Sequence, residues 1–355
     1  MQYEEAINFG DLEYGTSLFD ARSLALRVAE SIGLNEQESE DLARVFQQNP
    51  TIDQLMEQQI DMVHSSFGYA TVLRVHSIDG VRGPLVRYDL GPDGFNYVML
   101  VVEDSAAAGP RIVDLFVGTN GENLSQTIGA VAQLLVDPSP SLLSRLFGAE
   151  TIDTDLQQKL QTMTRQVRET QFADAYATIN SLPDEVRNHR AITSISTQVA
   201  SMIDEATYER ELARLAALHG DDPRTAFLLI DYYFLRGDME AAMESVETLE
   251  SVFGFDAAIA LFKSTISLQL GDVDAAVRFA EAAFEVEPYD ENSFWAMLNV
   301  SLATERYAAA IEAMEVLEID FGYLFDAEVM ATEETYSGFI ESAEYETWAA
   351  SRSAN

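Results

Sequence analysis

The sequence predicts two domains: an N-terminal α+β domain with an antiparallel sheet, then an all-α array of helical repeats. Three observations predict this. The apolar period is 3–4 up to about residue 64, changes to two at Phe67, and returns to 3–4 from Leu124. A run of turn formers, Pro138-Ser139-Pro140-Ser141, divides the chain. Beyond it, Gly237, Gly271 and Glu305 stand 34 residues apart. The length of 355 residues suits about two domains. With 47% hydrophobic and 23% charged residues the chain is globular in type and long enough to bury a core without disulfides or metals.

The elements follow in order. Leu18, Ala21, Ala25, Val28 and Ile32 give a first helix that Gly33 closes. Asn35 and Glu38 form a capping box before a second helix carrying Leu42, Val45 and Phe46. Pro50-Thr51 opens a third with Ile52, Leu55, Met56 and Ile60. Alternation from Phe67 to Ile78 predicts a strand that ends at the turn Asp79-Gly80. Strands over 85–90 and 95–102 flank the turn Gly91-Pro92-Asp93-Gly94, and a fourth covers 111–117. Gly118 to Gly121 break the pattern, and 124–136 reads as a closing helix. Gly118-Thr119-Asn120-Gly121-Glu122-Asn123 lacks the phosphate-loop lysine and is read as a turn with a helix start. This element order resembles the cystatin-like and nuclear-transport-factor-2-like cones, an analogy of fold only. The domains are expected at 1–137 and 155–352, with 138–154 as linker.

Composition excludes several functions. Sixty acidic residues against 21 basic ones give a net charge of −39, which repels nucleic-acid phosphates and anionic lipid. Only Lys159 and Lys263 are lysine, which fits either a surface suited to high salt or an acidic protein from an arginine-preferring genome. Zero cysteines exclude disulfides, thiolate metal sites and cysteine nucleophiles. The four histidines are scattered, without metal-binding spacing. No apolar run of membrane-spanning length exists, and the acidic start lacks a signal-peptide pattern. The expectation is a soluble protein, cytoplasmic as it stands, or exported if a leader has been removed.

Three segments of the second half align at the 34-residue period, 223–256, 257–290 and 291–324. Beside Gly237, Gly271 and Glu305, the residues Ala242, Ala276 and Ala310 coincide, as do Leu249, Ala283 and Leu317, and Pro288 falls at a repeat end. Glycine turns the chain between two helices, and alanine lets them approach. A helix–turn–helix period of 34 with small residues at these points resembles the tetratricopeptide repeat (TPR) family. Degenerate repeats are expected at 189–222 and around Phe172 to Tyr176, the latter slipped by one residue. A last pair over 326–352 is expected to cap the array through Tyr345 and Trp348.

The resemblance implies a superhelical solenoid whose first helices line a concave groove. Carried over position by position, the groove residues are Arg224, Phe227, Asp231 and Phe234 in the first repeat. Thr265 and Gln269 follow in the second, and Asn292, Trp295 and Asn299 in the third; Arg190 and Thr193 extend the set upstream. Aromatic anchors among amides suit an extended peptide. The leading expectation is therefore a non-catalytic scaffold that binds a protein or peptide, steered toward basic partners. No cofactor, metal, nucleic acid or membrane insertion is expected, and homo-oligomerisation stays open. The rival reading places a small-molecule or enzymatic pocket on the N-terminal sheet, lined by Arg74, His76, Arg87, Asp89, Asn96 and Asp114, with the repeats as an assembly module.

Overall fold

The computed structural model describes residues 2–48, 50–91, 94–105, 109–135 and 154–353. The expected linker, up to residue 153, and Pro92-Asp93 of the expected turn lie outside the described residues. By packing, the chain divides into residues 1–232 and 233–355, the division falling in the helix Ala226–Arg236.

Five helices precede the sheet: Gln2–Phe9, Leu12–Ser17, Ala21–Ile32, Glu36–Gln48 and Thr51–Ser65. The first two were not expected, because they are too short to show a period. Asp11 stops the chain between them and caps the second through Tyr14 N. Asp20 caps the third, and Gly33 ends it at φ 70°. The capping box is as expected: Glu38 N donates to Asn35 Oδ1 and Asn35 N to Glu38 Oε2, both at 3.0 Å.

The sheet is an antiparallel meander of five strands in sequence order. They are β1 (Tyr69–Ile78), β2 (Val81–Asp89), β3 (Phe95–Ser105), β4 (Gly109–Val117) and β5 (Glu122–Asn123). Two details depart from expectation. β2 starts four residues early because Asp79 and Gly80, both at positive φ, close a two-residue hairpin. Gly83 then passes so close to β3 that a Cβ would lie 1.8 Å from Leu100 O. β5 is a two-residue addition before the helix Leu124–Leu135.

Alternation sorts the sheet residues. Ala70, Val86, Tyr88, Val98, Leu100, Ile112 and Leu115 join Ile7, Leu24, Val28, Met56, Ile60 and Val63 of the helices in one core. Inside it the hydroxyls of Tyr3 and Tyr88 meet at 2.6 Å, which satisfies both in an apolar setting.

From residue 154 the described chain is mostly helical. Successive helices are Thr154–Arg168, Phe172–Asn180, Arg190–Ser201, Glu205–His219, Ala226–Arg236, Met239–Phe253, Ala257–Gln269, Val273–Val286, Glu291–Ala303 and Tyr307–Phe321, with shorter turns between some of them. One turn recurs. Gly237, Gly271 and Glu305 take φ of 67°, 76° and 55°. The next N–H in each case reaches back five residues: Asp238 to Tyr233 O, Asp272 to Ser267 O and Arg306 to Ser301 O, at 2.8–2.9 Å. Thr170 repeats it at φ 57°, with Gln171 N on Gln166 O, in the register that is slipped by one. Ala242, Ala276 and Ala310 are fully buried. At Ala276 the close approach is visible, because Ser264 Oγ crosses to its carbonyl at 2.9 Å.

The end differs from the expected helix pair. Ala327–Met330 and Ser337–Ile340 are single turns, and only Ala343–Ser353 is a full helix. Within the second of these turns Gly338 passes close to Tyr307: a Cβ there would stand 2.6 Å from Tyr307 Oη. Phe339 and Trp348 nevertheless join Leu298, Met314 and Leu317 in one cluster, with Tyr345 against it.

Candidate functional site

The second face of the sheet carries four residues of the expected N-terminal pocket, Arg74, His76, Arg87 and Asp89. Strand register sets them in rows. Tyr69, Asp89 and Phe95 form one row, Thr71, Arg87 and Tyr97 the next, and Arg74, Leu85, Met99 and Phe116 a third, with His76 opposite Gly83 beyond them. Arg87 is 1% exposed, and its Nε donates to both oxygens of Asp89 at 3.0 Å. A buried guanidinium needs such a partner, and the two-residue spacing on one strand supplies it. Arg74 and His76 are half-buried on β1.

The other two residues are taken up elsewhere. Asn96 holds the turn after β4, accepting from Thr119 N at 3.2 Å. Asp114 lies opposite Val101, further along β3, and is fully buried. It accepts from Ser125 Oγ at 2.6 Å, Ser125 N at 3.0 Å and Leu115 N at 2.9 Å, and so fixes the start of the helix Leu124–Leu135. Burial pushes its carboxyl above the usual aspartate range despite these donors. The structure thus brings Arg87 to Asp89 and leaves Asp114 apart from both.

The expected groove residues fall into two groups. In residues 1–232 three of them, Phe227, Arg224 and Arg190, meet residues of the sheet region. Phe227 stands edge-on to Phe95 and Tyr97, with centroids at 5.5 and 6.4 Å. Arg224 is held by Asp222 (Nη2–Oδ2 2.6 Å) and abuts Gly121, where a Cβ would lie 2.4 Å from Arg224 Cβ. Arg190 pairs with Glu122, and Thr193 is buried with its Oγ1 on His189 O at 3.1 Å. Asp231 is exposed and accepts from Tyr208 Oη at 3.4 Å. Apart from Asp231, these positions serve packing and ion pairs within the chain.

In residues 233–355 the picture changes. Phe234 packs edge-on to Phe262 at 6.0 Å. The helices Ala257–Gln269 and Glu291–Ala303 touch each other, and on them Thr265, Gln269, Asn292 and Asn299 are all exposed. Thr265 and Asn299 are one repeat apart. Trp295 lies half-buried on the same helix as the two asparagines, edge-on to Tyr323 at 5.0 Å and near Phe325 at 5.7 Å. Tyr323 donates its hydroxyl to Glu291, which holds the aromatic group in place. The result is a fixed indole beside exposed amide groups and the Thr265 hydroxyl, which donates to Leu261 O at 3.1 Å. Such a surface can bond a peptide backbone and seat one apolar side chain.

Two features escaped sequence reasoning. Tyr323 and Phe325 reach Trp295 from the segment after the following helix, which no local pattern reveals. The buried Glu211 accepts from Tyr176 Oη (2.9 Å), Ser196 Oγ (2.8 Å) and Arg214 Nη2 (2.7 Å), tying three helices together. Its signal was an acid between apolar helix positions, next to Leu212 and Leu215. Among the described residues no group of three or more His, Cys, Asp and Glu side chains is arranged to hold a metal ion, and no helix is long and apolar enough to cross a membrane. No protein-family model and no curated protein matches the chain.

Proposed function

We propose that the helices from about residue 155 form a TPR-like solenoid and that the protein is a non-catalytic peptide-binding scaffold. The recurring left-handed turn at Gly237, Gly271 and Glu305 supports the repeat. The binding surface is the first-helix face within 257–303, not the whole concave side, since Arg224 and Phe227 already serve the chain's own sheet domain. One observation carries this reading: Thr265, Gln269, Asn292 and Asn299 stay exposed on touching helices beside an indole that is already fixed. Amides pair with an extended backbone in either direction, and the Trp295 ring seats one apolar side chain. The net charge of −39 favours peptides rich in Arg and Lys.

Peptide display against the full chain tests this. Peptides enriched on the wild type are expected to lose about tenfold in affinity for Asn292→Ala/Asn299→Ala, an exposed pair whose loss leaves the core intact. Trp295→Ala is expected to cost more, with some loss of stability as Tyr323 and Phe325 lose a neighbour. Equal affinity for wild type and the double variant defeats the assignment of this face.

A further inference from the structure

The helices Tyr307–Phe321 and Ala343–Ser353 touch each other in the 233–355 unit. An open groove of about 620 Å³ runs along them. Ile311, Glu312 and Glu315 line it from the first helix, and Glu344, Thr347 and Trp348 from the second. Trp348 is buried and Ile311 half-buried, so the floor is apolar and fixed. The three glutamates are exposed, and none of them forms a direct ion pair among the described residues.

The same place shows how it holds a cation. The Arg352 guanidinium lies over the Trp348 ring, 4.4 Å from its centroid, and pairs with Glu318. A ring face combined with a carboxylate is the setting that arginine favours over lysine. Glu315 and Glu312 continue the row of carboxylates from Glu318 along one face of the helix, at i−3 and i−6. The long-range field has the same sign: residues 233–355 hold 25 acids and five bases. Anionic lipid and nucleic acid are repelled here, and so is a second copy of this chain.

We propose that this groove docks a basic helix of a partner protein. Its arginines would reach Glu312 and Glu315 on one wall and Glu344 on the other, with small apolar side chains laid on Ile311 and Thr347. The valley between two packed helices is the ordinary seat for a third. This surface is separate from the peptide face around Trp295, so either can fail alone.

A synthetic alanine-based helix with arginines at i, i+3 and i+7 is the probe, with a glutamate counterpart as control. The sequence has two tryptophans, so Trp295→Phe leaves Trp348 as the sole reporter. The arginine helix is expected to shift Trp348 emission and the glutamate helix to leave it unchanged. Glu312→Gln/Glu315→Gln/Glu344→Gln should weaken binding about tenfold at low salt. Thr347→Phe, which fills the groove without changing charge, should weaken it comparably. Glu240→Gln/Glu244→Gln/Glu247→Gln removes the same charge from exposed positions of Met239–Phe253, outside the groove, and should leave most of the affinity. Circular dichroism checks the fold of each variant. Absence of binding overturns the proposal. So does an equal loss in the two triple variants, or indifference to Thr347→Phe.

Discussion

At the scale of single residues, the turn between paired helices decides most. An L-residue in the left-handed region costs roughly 1–2 kcal/mol that glycine avoids. Gly237 and Gly271 occupy that region with nothing within 4 Å of a would-be Cβ, so backbone conformation alone is at stake. Gly271→Ala is therefore expected to lower stability by about 1 kcal/mol in urea unfolding. Glu305 holds the same conformation at φ 55° and bears the strain. Glu305→Gly should raise stability by about 0.5–1 kcal/mol, with Glu305→Gln as the control for charge. A destabilised Glu305→Gly would show that this turn is held by its side chain. These positions were legible because glycine marks its own conformation. Thr170 adopts the same turn without any residue-type signal, and only the spacing of Ala175 marks its repeat. Asp222, Asp256 and Asp290 also stand 34 apart at helix starts, a further mark of the same period. Of the candidate site, Trp295 was legible from its repeat position. The partners of Phe227 were not: Phe95 and Tyr97 lie more than a hundred residues away on a sheet, and helical periodicity carries no information about what covers a face.

At the scale of elements, buried polar groups fix how helices meet. Glu211 sits where Phe172–Asn180, Arg190–Ser201 and Glu205–His219 converge, through Tyr176, Ser196 and Arg214. Burial by itself would raise its carboxyl, but hydrogen bonds from Ser196, Arg214 and Tyr176 outweigh it and hold the group below the usual glutamate range. A depressed folded-state value means protons bind the unfolded chain more readily. The stabilisation is complete above the ordinary glutamate pKa, about 4.3, and is lost as pH falls through the folded-state value. Glu211→Gln is expected to cost about 2 kcal/mol at neutral pH, by leaving Arg214 without its counter-charge and weakening two hydroxyl bonds. Urea midpoints of wild type and variant should converge as pH falls through that range. A gap that is constant with pH would remove charge from the explanation. Asp114 has the opposite sign. Its raised value makes the wild-type chain lose stability as pH climbs from the ordinary aspartate range to the folded-state value. Both residues were plain in the sequence as acids among apolar neighbours. Their partners were not, because each bond joins separate elements.

At the scale of the whole molecule, charge is the property that was fully legible beforehand, since it needs only counting. Residues 1–232 hold 35 acids and 16 bases, and 233–355 hold 25 and five, so both units are strongly negative. The few cations are mostly committed. Arg22 grips Glu40 with two bonds of 2.7 and 2.9 Å, Lys159 pairs with Asp155 at 2.8 Å, and Lys263 is buried against Glu250. Two effects of salt then compete. Screening weakens exposed pairs such as Arg22–Glu40, each contributing about 0–1 kcal/mol. It also weakens repulsion among the excess carboxylates, which outnumber cations by 39 and act over the full Debye length. Raising sodium chloride from about 0.1 M to about 1 M cuts that length from roughly 10 Å to 3 Å. Because unpaired acids far outnumber paired ones, relief of repulsion wins, and the urea midpoint should rise with salt. Lys263 is shielded from solvent, so its pair with Glu250 should hold through the same range, and Lys263→Met should shift the midpoint equally at both ends. A midpoint that falls with salt would mean that the surface pairs, not the excess charge, dominate stability.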